Sequence, residues 1–187
     1  MNTLYKVKQS SSGDVLHSVP LHHENDEAKN PGVLMALNQC LAHAIDLRSR
    51  IKQAYWSAKG GNFYMLHKKF NDFTNELDAI ADELATRVLA LGGVPVRSIA
   101  IVAQTSKLPT YPLGAMKALE HLESVIGGYE AASGHLATAM EKAVKTADHT
   151  SVGVLTGFAK LLDDHVAFVT SHIPAEWGPS ARAKPAS

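Results

Sequence analysis

The chain lacks the features that mark secreted and membrane proteins. Cys40 is its single cysteine, so no disulfide can form within the chain, which favours a reducing compartment. No stretch approaches the ~20 apolar residues that a membrane-spanning helix needs. The N-terminal region holds no apolar run flanked by basic residues, as an export signal would. We therefore expect a cytoplasmic protein with no membrane partner.

Net charge is also absent. Lysine plus arginine number 18, as do aspartate plus glutamate, so no overall field attracts the folded body to nucleic acid or anionic lipid. Any contact with DNA must then come from local basic segments. The chain has 187 residues, 45% of them hydrophobic and 19% charged. These values predict one folded domain with a real core and exclude disorder over most of the length.

What the sequence does contain is a series of long helical patterns. Pro31 opens the first, in which apolar residues recur at spacings of three and four. The second covers residues 63–91 and has the clearest periodicity in the chain. It is expected to end at Gly92 and Gly93, because glycine is the preferred residue just past a helix.

Two further helical patterns follow in the second half of the chain. The third covers residues 113–147, although Gly127, Gly128 and Gly134 weaken it. The fourth is expected to begin at a cap formed by Thr150 or Ser151, since hydroxyl side chains accept hydrogen bonds from the first backbone N–H groups. Pro174 would end it.

The lengths of the links predict how the helices connect. Short links after the first and third helices make two antiparallel hairpins, whereas residues 93–112 are numerous enough to cross the bundle, with apolar residues 99–102 forming a short extra helix. This arrangement is typical of an all-α, ferritin-like four-helix bundle with a long crossover between helices two and three. We expect a polar N-terminal arm (1–30), the bundle (31–173) and a short, mildly basic C-terminal tail (174–187).

One face of the second helix carries side chains that could bind a metal. His67 and Asn71 lie one turn apart, as do Asp78 and Asp82. Fifteen residues separate His67 from Asp82, which is about 22 Å along a helix axis, so one helix cannot bring both to one ion. Two copies packed antiparallel about a two-fold axis could place His67 of one chain beside Asp82 of the other. An interface metal site is thus geometrically natural.

Several motifs resemble the Dps family of dodecameric miniferritins. They are residues 53–63 (Gln-Ala-Tyr-Trp-Ser-Ala-Lys-Gly-Gly-Asn-Phe), Leu66 with His67, residues 89–95 (Leu-Ala-Leu-Gly-Gly-Val-Pro), and Tyr111 with Pro112. The resemblance implies a hollow dodecamer with a ferroxidase site at each two-fold interface. Such a site oxidises Fe(II), preferably with hydrogen peroxide, and the shell stores the ferric product, which protects against oxidative damage. Many members also bind DNA without sequence preference, which would associate the protein with the nucleoid.

The family's ligand pattern is kept only in part. His67 and Asp82 match it, whereas Tyr55 stands where the family has histidine, Asn71 where it has aspartate, and Thr86 where it has glutamate. Two anionic ligands and one imidazole are thereby lost, although iron prefers hard oxygen donors with some nitrogen. The resemblance therefore implies an altered ferroxidase site that binds iron more weakly or uses other side chains.

Neighbouring residues could compensate for the lost ligands. Asp78 lies one turn from Asp82, and His165 lies beside the apolar stripe of the fourth helix, seven residues before His172. Histidines in such a stripe are more often hydrogen-bonded core residues than ligands, and Asp72 and Glu76 are most simply solvated charges. The expected catalytic pair is His67 and Asp82. The wider set of expected metal ligands is His67, Asp82, Asp78, Tyr55, Asn71 and His165.

Two main hypotheses follow from the sequence. The first is a ferroxidase and iron store, with iron as the metal. The second is a DNA-coating or structural shell protein whose ferroxidase site has degenerated. Arg182 and Lys184 of the tail would be presented by every subunit of a dodecamer, so weak phosphate contacts could add up. A third hypothesis is a remodelled site that prefers zinc.

Overall fold

The computed structural model describes residues 30–57, 64–96, 98–112, 114 and 118–171. Within these ranges the chain forms helices and no strand. The helices are α1 (Pro31–Ser57), α2 (Tyr64–Ala90), α3 (Ile99–Thr105), α4 (Ala118–Lys145) and α5 (His149–Ser171). The predicted all-α class and the short helix in the crossover are confirmed. Most of the expected arm and all of the expected tail lie outside the described residues, so the three-part division stays a prediction.

The four long helices form one bundle. α1 packs against α2 and α4, and α5 packs against α4 and α2. All four contribute fully buried apolar side chains to a single core, among them Leu47, Leu84, Tyr129 and Phe158. Burial of each aliphatic or aromatic side chain stabilises the fold by roughly 1.5–3 kcal/mol. The predicted ferritin-like bundle is therefore confirmed. None of the described helices is both long enough and apolar enough to span a membrane.

Buried polar side chains of α1 hold the crossover in place. The Asn38 side chain donates Nδ2–H to the carbonyl of Val94 and accepts from the N–H of Val96, both at 3.0 Å. Five residues further along α1, His43 Nε2 accepts a hydrogen bond of 3.2 Å from the N–H of Lys107. An irregular segment lacks the regular backbone hydrogen bonds of a helix or sheet. The side chains of α1 supply hydrogen-bonding partners for its backbone groups instead. They fix the crossover along α1.

The start of α5 differs from the prediction. Thr150 or Ser151 was expected as the cap, but the helix begins at His149 and Asp148 caps it, with Ser151 N–H donating to Asp148 Oδ1 at 3.0 Å. Asp148 also forms an ion pair of 2.7 Å with Arg87 near the end of α2. Aspartate, serine and threonine are all good caps, so composition alone could not choose among these neighbours.

One of the internal glycines has a packing role. A Cβ added to Gly128 of α4 would lie 3.1 Å from Leu47 Cδ2 and 3.3 Å from Arg50 Cδ, both on α1. The absent side chain therefore allows close approach of α1 and α4, and α4 continues through the residue. Gly92, at φ +79°, follows the end of α2 as predicted.

Candidate metal site

α1 and α2 place several predicted ligands on one shared face. Tyr55 of α1 lies against His67 of α2, with ring centroids 3.8 Å apart and ring planes inclined by 58°. Asn71, one turn further along α2, accepts a hydrogen bond of 3.2 Å at Oδ1 from Lys52 Nζ. The structure thus brings Tyr55, His67 and Asn71 together, and we call these three residues the half-site.

Two cations of α1 are bound to oxygen atoms of this face. Lys52 holds Asn71 and lies 5.2 Å from the centroid of the Tyr55 ring. Arg48, one turn earlier, forms an ion pair with Asp78 in which Nε is 2.5 Å from Oδ1. Each cation uses an oxygen that a metal ion would need, and its charge repels a second cation at short range. Sequence spacing showed only that Arg48 and Lys52 share a face of α1, so both were missed.

His67 and Asp82 are different from the rest of this face. His67 is half-buried and Asp82 is exposed, and neither forms a hydrogen bond or ion pair in the part of the chain that the structure describes. They are also the two residues that match the family's ligand pattern. Among the described residues, no group of three or more His, Cys, Asp or Glu could hold a metal ion. That part of one chain therefore contains no complete metal site.

His165 lies apart from the half-site, buried between α2, α4 and α5. Its Nδ1 is 2.8 Å from the hydroxyl of Tyr129, and its Nε2 is 2.5 Å from Glu76 Oε2. Burial lowers the pKa of His165, although the hydrogen bond to Glu76 acts in the opposite direction. Both ring nitrogens are engaged inside the bundle, so we leave His165 out of the proposed ligand set. His172 lies outside the described residues.

The remaining candidates have other neighbours. Asp72 and Glu76 both lie near the ammonium group of Lys69, at 3.8 and 3.6 Å. Trp56, which follows Tyr55 in the chain, is 67% exposed. The geometry therefore describes the half-site with one exposed tryptophan next to Tyr55 in the chain.

Comparison with known proteins identifies the class and then the family. The ferritin-like domain family matches residues 34–175, so the bundle is that of a ferritin-like protein. A DNA protection during starvation protein from Agrobacterium fabrum is 33% identical over 141 residues, which are 75% of this chain and 87% of that protein. Dps from Staphylococcus aureus is 29% identical, with a TM-score of 0.73, and the match covers 80% of this chain and 100% of that one. DpsC from Streptomyces coelicolor, at 22% identity and a TM-score of 0.75 over 82% of this chain and 91% of that one, shares the fold. The chain belongs to the Dps family.

Proposed function

We propose that this chain is the subunit of a Dps-type miniferritin that binds Fe(II), oxidises it preferably with hydrogen peroxide, and stores ferric iron in a hollow dodecamer. Iron is thus the substrate and cargo of a cytoplasmic ferroxidase that protects against oxidative damage. One observation carries the proposal: His67 and Asp82, which occupy ligand positions of the family, are also unpaired in the described chain. Unpaired nitrogen and carboxylate donors are available to a metal.

The proposed site needs two subunits. His67 and Asp82 are separated by about 22 Å along α2, so Asp82 would come from a second copy related by a two-fold axis. Trp56, which is 67% exposed and follows Tyr55 in the chain, offers apolar surface that such an interface would bury. The half-site of one subunit would then face Asp82 of the other.

The donor set supports a weak iron site. His67 offers an imidazole nitrogen and Asp82 an anionic oxygen, while the Tyr55 phenol becomes a strong ligand only after losing its proton. Asn71 and Asp78 could contribute only by separating from Lys52 and Arg48. With fewer carboxylates to neutralise two cations, we infer that each interface binds a single Fe(II) at a time.

The decisive experiment is anaerobic loading with Fe(II), followed by hydrogen peroxide, while ferric absorbance is recorded. We expect wild type to oxidise iron faster than a protein-free blank, and His67→Ala and Asp82→Ala each to lose most of that excess. His149→Ala and Glu83→Ala are matched controls, because both residues are exposed and outside the proposed ligand set. A wild-type rate equal to the blank would overturn the proposal.

A second candidate function is a DNA-coating or structural shell protein. It is favoured by the two cations, Lys52 and Arg48, that hold oxygen donors of the α2 face, and by the name of the Agrobacterium relative, which refers to DNA protection. Retardation of DNA in a gel at low salt, lost as salt rises and lost in Arg182→Ser/Lys184→Ser, would support it. The absence of retardation at low ionic strength would exclude it. Elemental analysis of the purified protein would test the zinc alternative.

A further inference from the structure

A chain of hydrogen bonds runs from the core of the bundle to its surface. Tyr129 of α4 is fully buried, and its hydroxyl lies 2.8 Å from Nδ1 of His165, which is 1% exposed. His165 Nε2 lies 2.5 Å from Oε2 of Glu76, whose side chain is 44% exposed. We call these three residues the relay. It joins three helices and includes none of the half-site residues.

The protonation states of the relay follow from its outer end. The Glu76 carboxylate lies 3.6 Å from the Lys69 ammonium. An ionised carboxylate accepts hydrogen bonds, so His165 Nε2 carries the proton and Nδ1 accepts from the Tyr129 hydroxyl. Burial lowers the pKa of His165, in agreement with a neutral imidazole. The Tyr129 O–H therefore points toward His165, and the His165 Nε2–H points toward Glu76.

This arrangement fits removal of an electron and a proton together from Tyr129. Burial raises the pKa of Tyr129 well above its usual value, and the charge of Glu76 raises it further, so a phenoxide is unfavourable in the core. A phenol radical cation is equally disfavoured there. If the phenolic proton moves to His165 Nδ1 while the Nε2 proton moves to Glu76, a neutral tyrosyl radical and a neutral imidazole remain. The only change of charge then occurs at the partly exposed carboxylate.

Aromatic rings connect the relay to the helix that carries His67. Phe73 stacks on His165 with centroids 3.7 Å apart and planes 20° from parallel. Phe70 lies 6.2 Å from Phe73 and is one turn along α2 from His67. Buried aromatic rings therefore lead from His165 as far as Phe70, one turn of α2 from His67, and an electron leaving Tyr129 would cross the remaining distance to the proposed iron site.

We propose that Tyr129 donates one electron to hydrogen peroxide reduction at the iron site, with His165 and Glu76 accepting and returning its proton. The inference rests on the proposed function, in which a single Fe(II) occupies each interface. Peroxide needs two electrons and two protons to become two waters. Fe(II) gives one electron, Tyr129 gives the other, and solvent gives both protons, while the phenolic proton of Tyr129 is held at Glu76. A later Fe(II) reduces the tyrosyl radical, and Tyr129 recovers its proton through His165.

The relay thus avoids a hazardous product. One-electron reduction of peroxide by a lone Fe(II) would cleave the O–O bond to hydroxide and a hydroxyl radical. A second electron that arrives from Tyr129 converts the same peroxide to water. Over one full cycle, two Fe(II) and one peroxide give two Fe(III) and two waters with two protons consumed.

The test is freeze-quench electron paramagnetic resonance of the full-length assembled protein, loaded with one Fe(II) per subunit and mixed with hydrogen peroxide. We expect a tyrosyl radical signal in wild type and its loss in Tyr129→Phe, together with more hydroxyl radical captured by a spin trap. Tyr111→Phe is a matched control, because Tyr111 also hydrogen-bonds a histidine, His121, at 2.6 Å. The Nε2 of His121 is buried without a partner in the described chain, so that pair has no proton exit.

A second variant addresses the case in which Tyr129→Phe does not fold. Glu76→Gln removes the proton acceptor at the partly exposed end of the relay and should slow radical formation at least about tenfold. Ferric iron without a tyrosyl radical in wild type would overturn the relay and leave the proposed ferroxidase function intact. A radical that persists in Tyr129→Phe would equally overturn it. Absence of ferric iron would overturn the proposed function and the relay together.

Discussion

Helix α2 carries ionisable side chains on two faces that are in opposite states. On the face toward α5, Glu76 is hydrogen-bonded to buried His165, and His165 is hydrogen-bonded in turn to buried Tyr129, so both ring nitrogens of His165 have partners. On the face shared with α1, His67 and Asp82 have no hydrogen-bonding partner in the described chain. The face toward α5 has its hydrogen bonds within one subunit, whereas the proposed metal site on the other face needs a second subunit. The contrast separates polar side chains that stabilise the fold from side chains that we propose bind a metal.

The largest expected effect is a difference in stability between the two faces. His165→Ala should lower the free energy of unfolding by about 3–5 kcal/mol, because it opens a cavity against Phe73 and leaves the buried Tyr129 hydroxyl unpaired. His67→Ala should cost less than about 0.5 kcal/mol in the same assay. Urea unfolding followed by circular dichroism would measure both, at one subunit concentration because oligomer stability depends on it. Equal losses in the two variants would refute the contrast.

The second prediction concerns another buried histidine, His43, and the dependence of stability on pH. Burial lowers the pKa of His43 from 6.5 to about 4, with further lowering by His135 and Arg50 and an opposing effect of Asp46. The unfolded chain therefore binds the proton more strongly, so the stability conferred by neutral His43 is complete above pH 6.5 and is lost as pH falls toward 4. The loss should reach at most about 3 kcal/mol.

The experiment compares urea unfolding between pH 7 and pH 4 in wild type and His43→Gln. Glutamine can still accept from the Lys107 N–H but does not titrate in this range, so the variant should show a weaker pH dependence. His149→Gln, on an exposed residue, should follow wild type. An unchanged pH dependence in His43→Gln would contradict the assignment.

The third prediction concerns Lys52, the cation that is hydrogen-bonded to Asn71 of the half-site. Asn71→Asp alone should gain little Fe(II) affinity, because the new carboxylate pairs with Lys52. Lys52→Met combined with Asn71→Asp should tighten Fe(II) binding about tenfold, or ~1.4 kcal/mol. Anaerobic calorimetry would measure the four corners of this double-mutant cycle, and the coupling should be clearly non-additive. Lys68→Met removes a nearby exposed charge as the control, and additive effects would argue against Lys52 as the competing cation.

The fold could be predicted from the sequence because its signals are periodic and local. Apolar spacing defined the helices, the glycines after α2 defined its end, and the length of residues 93–112 required a crossover. The cap of α5 was wrong because Asp148, Thr150 and Ser151 all favour the same position. Helix existence was therefore predictable, whereas the exact first residue depended on which side chain reached the backbone.

The site was predictable only where a motif carried it. His67 and Asp82 follow from the family pattern and stay predicted ligands, but the contact of Lys52 with Asn71 depends on the register of two packed helices. The relay was missed because Tyr129 and His165 are 36 residues apart in sequence, and His165 and Glu76 are 89 apart. Tyr129 resembles any other core residue in an apolar stripe. Long-range pairing of this kind leaves no spacing to detect.

The smallest expected effect tests whether Arg48 stabilises the fold or acts only through its charge at the candidate metal site. Its ion pair with Asp78 is between side chains that are 43% and 51% exposed, so Arg48→Gln should change the free energy of unfolding by roughly 0.5 kcal/mol or less. Salt should remove even that difference, since the screening length falls to about 3 Å at 1 M. The same variant leaves Asp78 unpaired and should tighten Fe(II) binding slightly, by less than the Lys52→Met/Asn71→Asp double variant. A loss of stability above about 1.5 kcal/mol that persists in salt would show instead that the pair is buried at a subunit interface. Arg48 would then have a structural role, like the residues on the face of α2 toward α5.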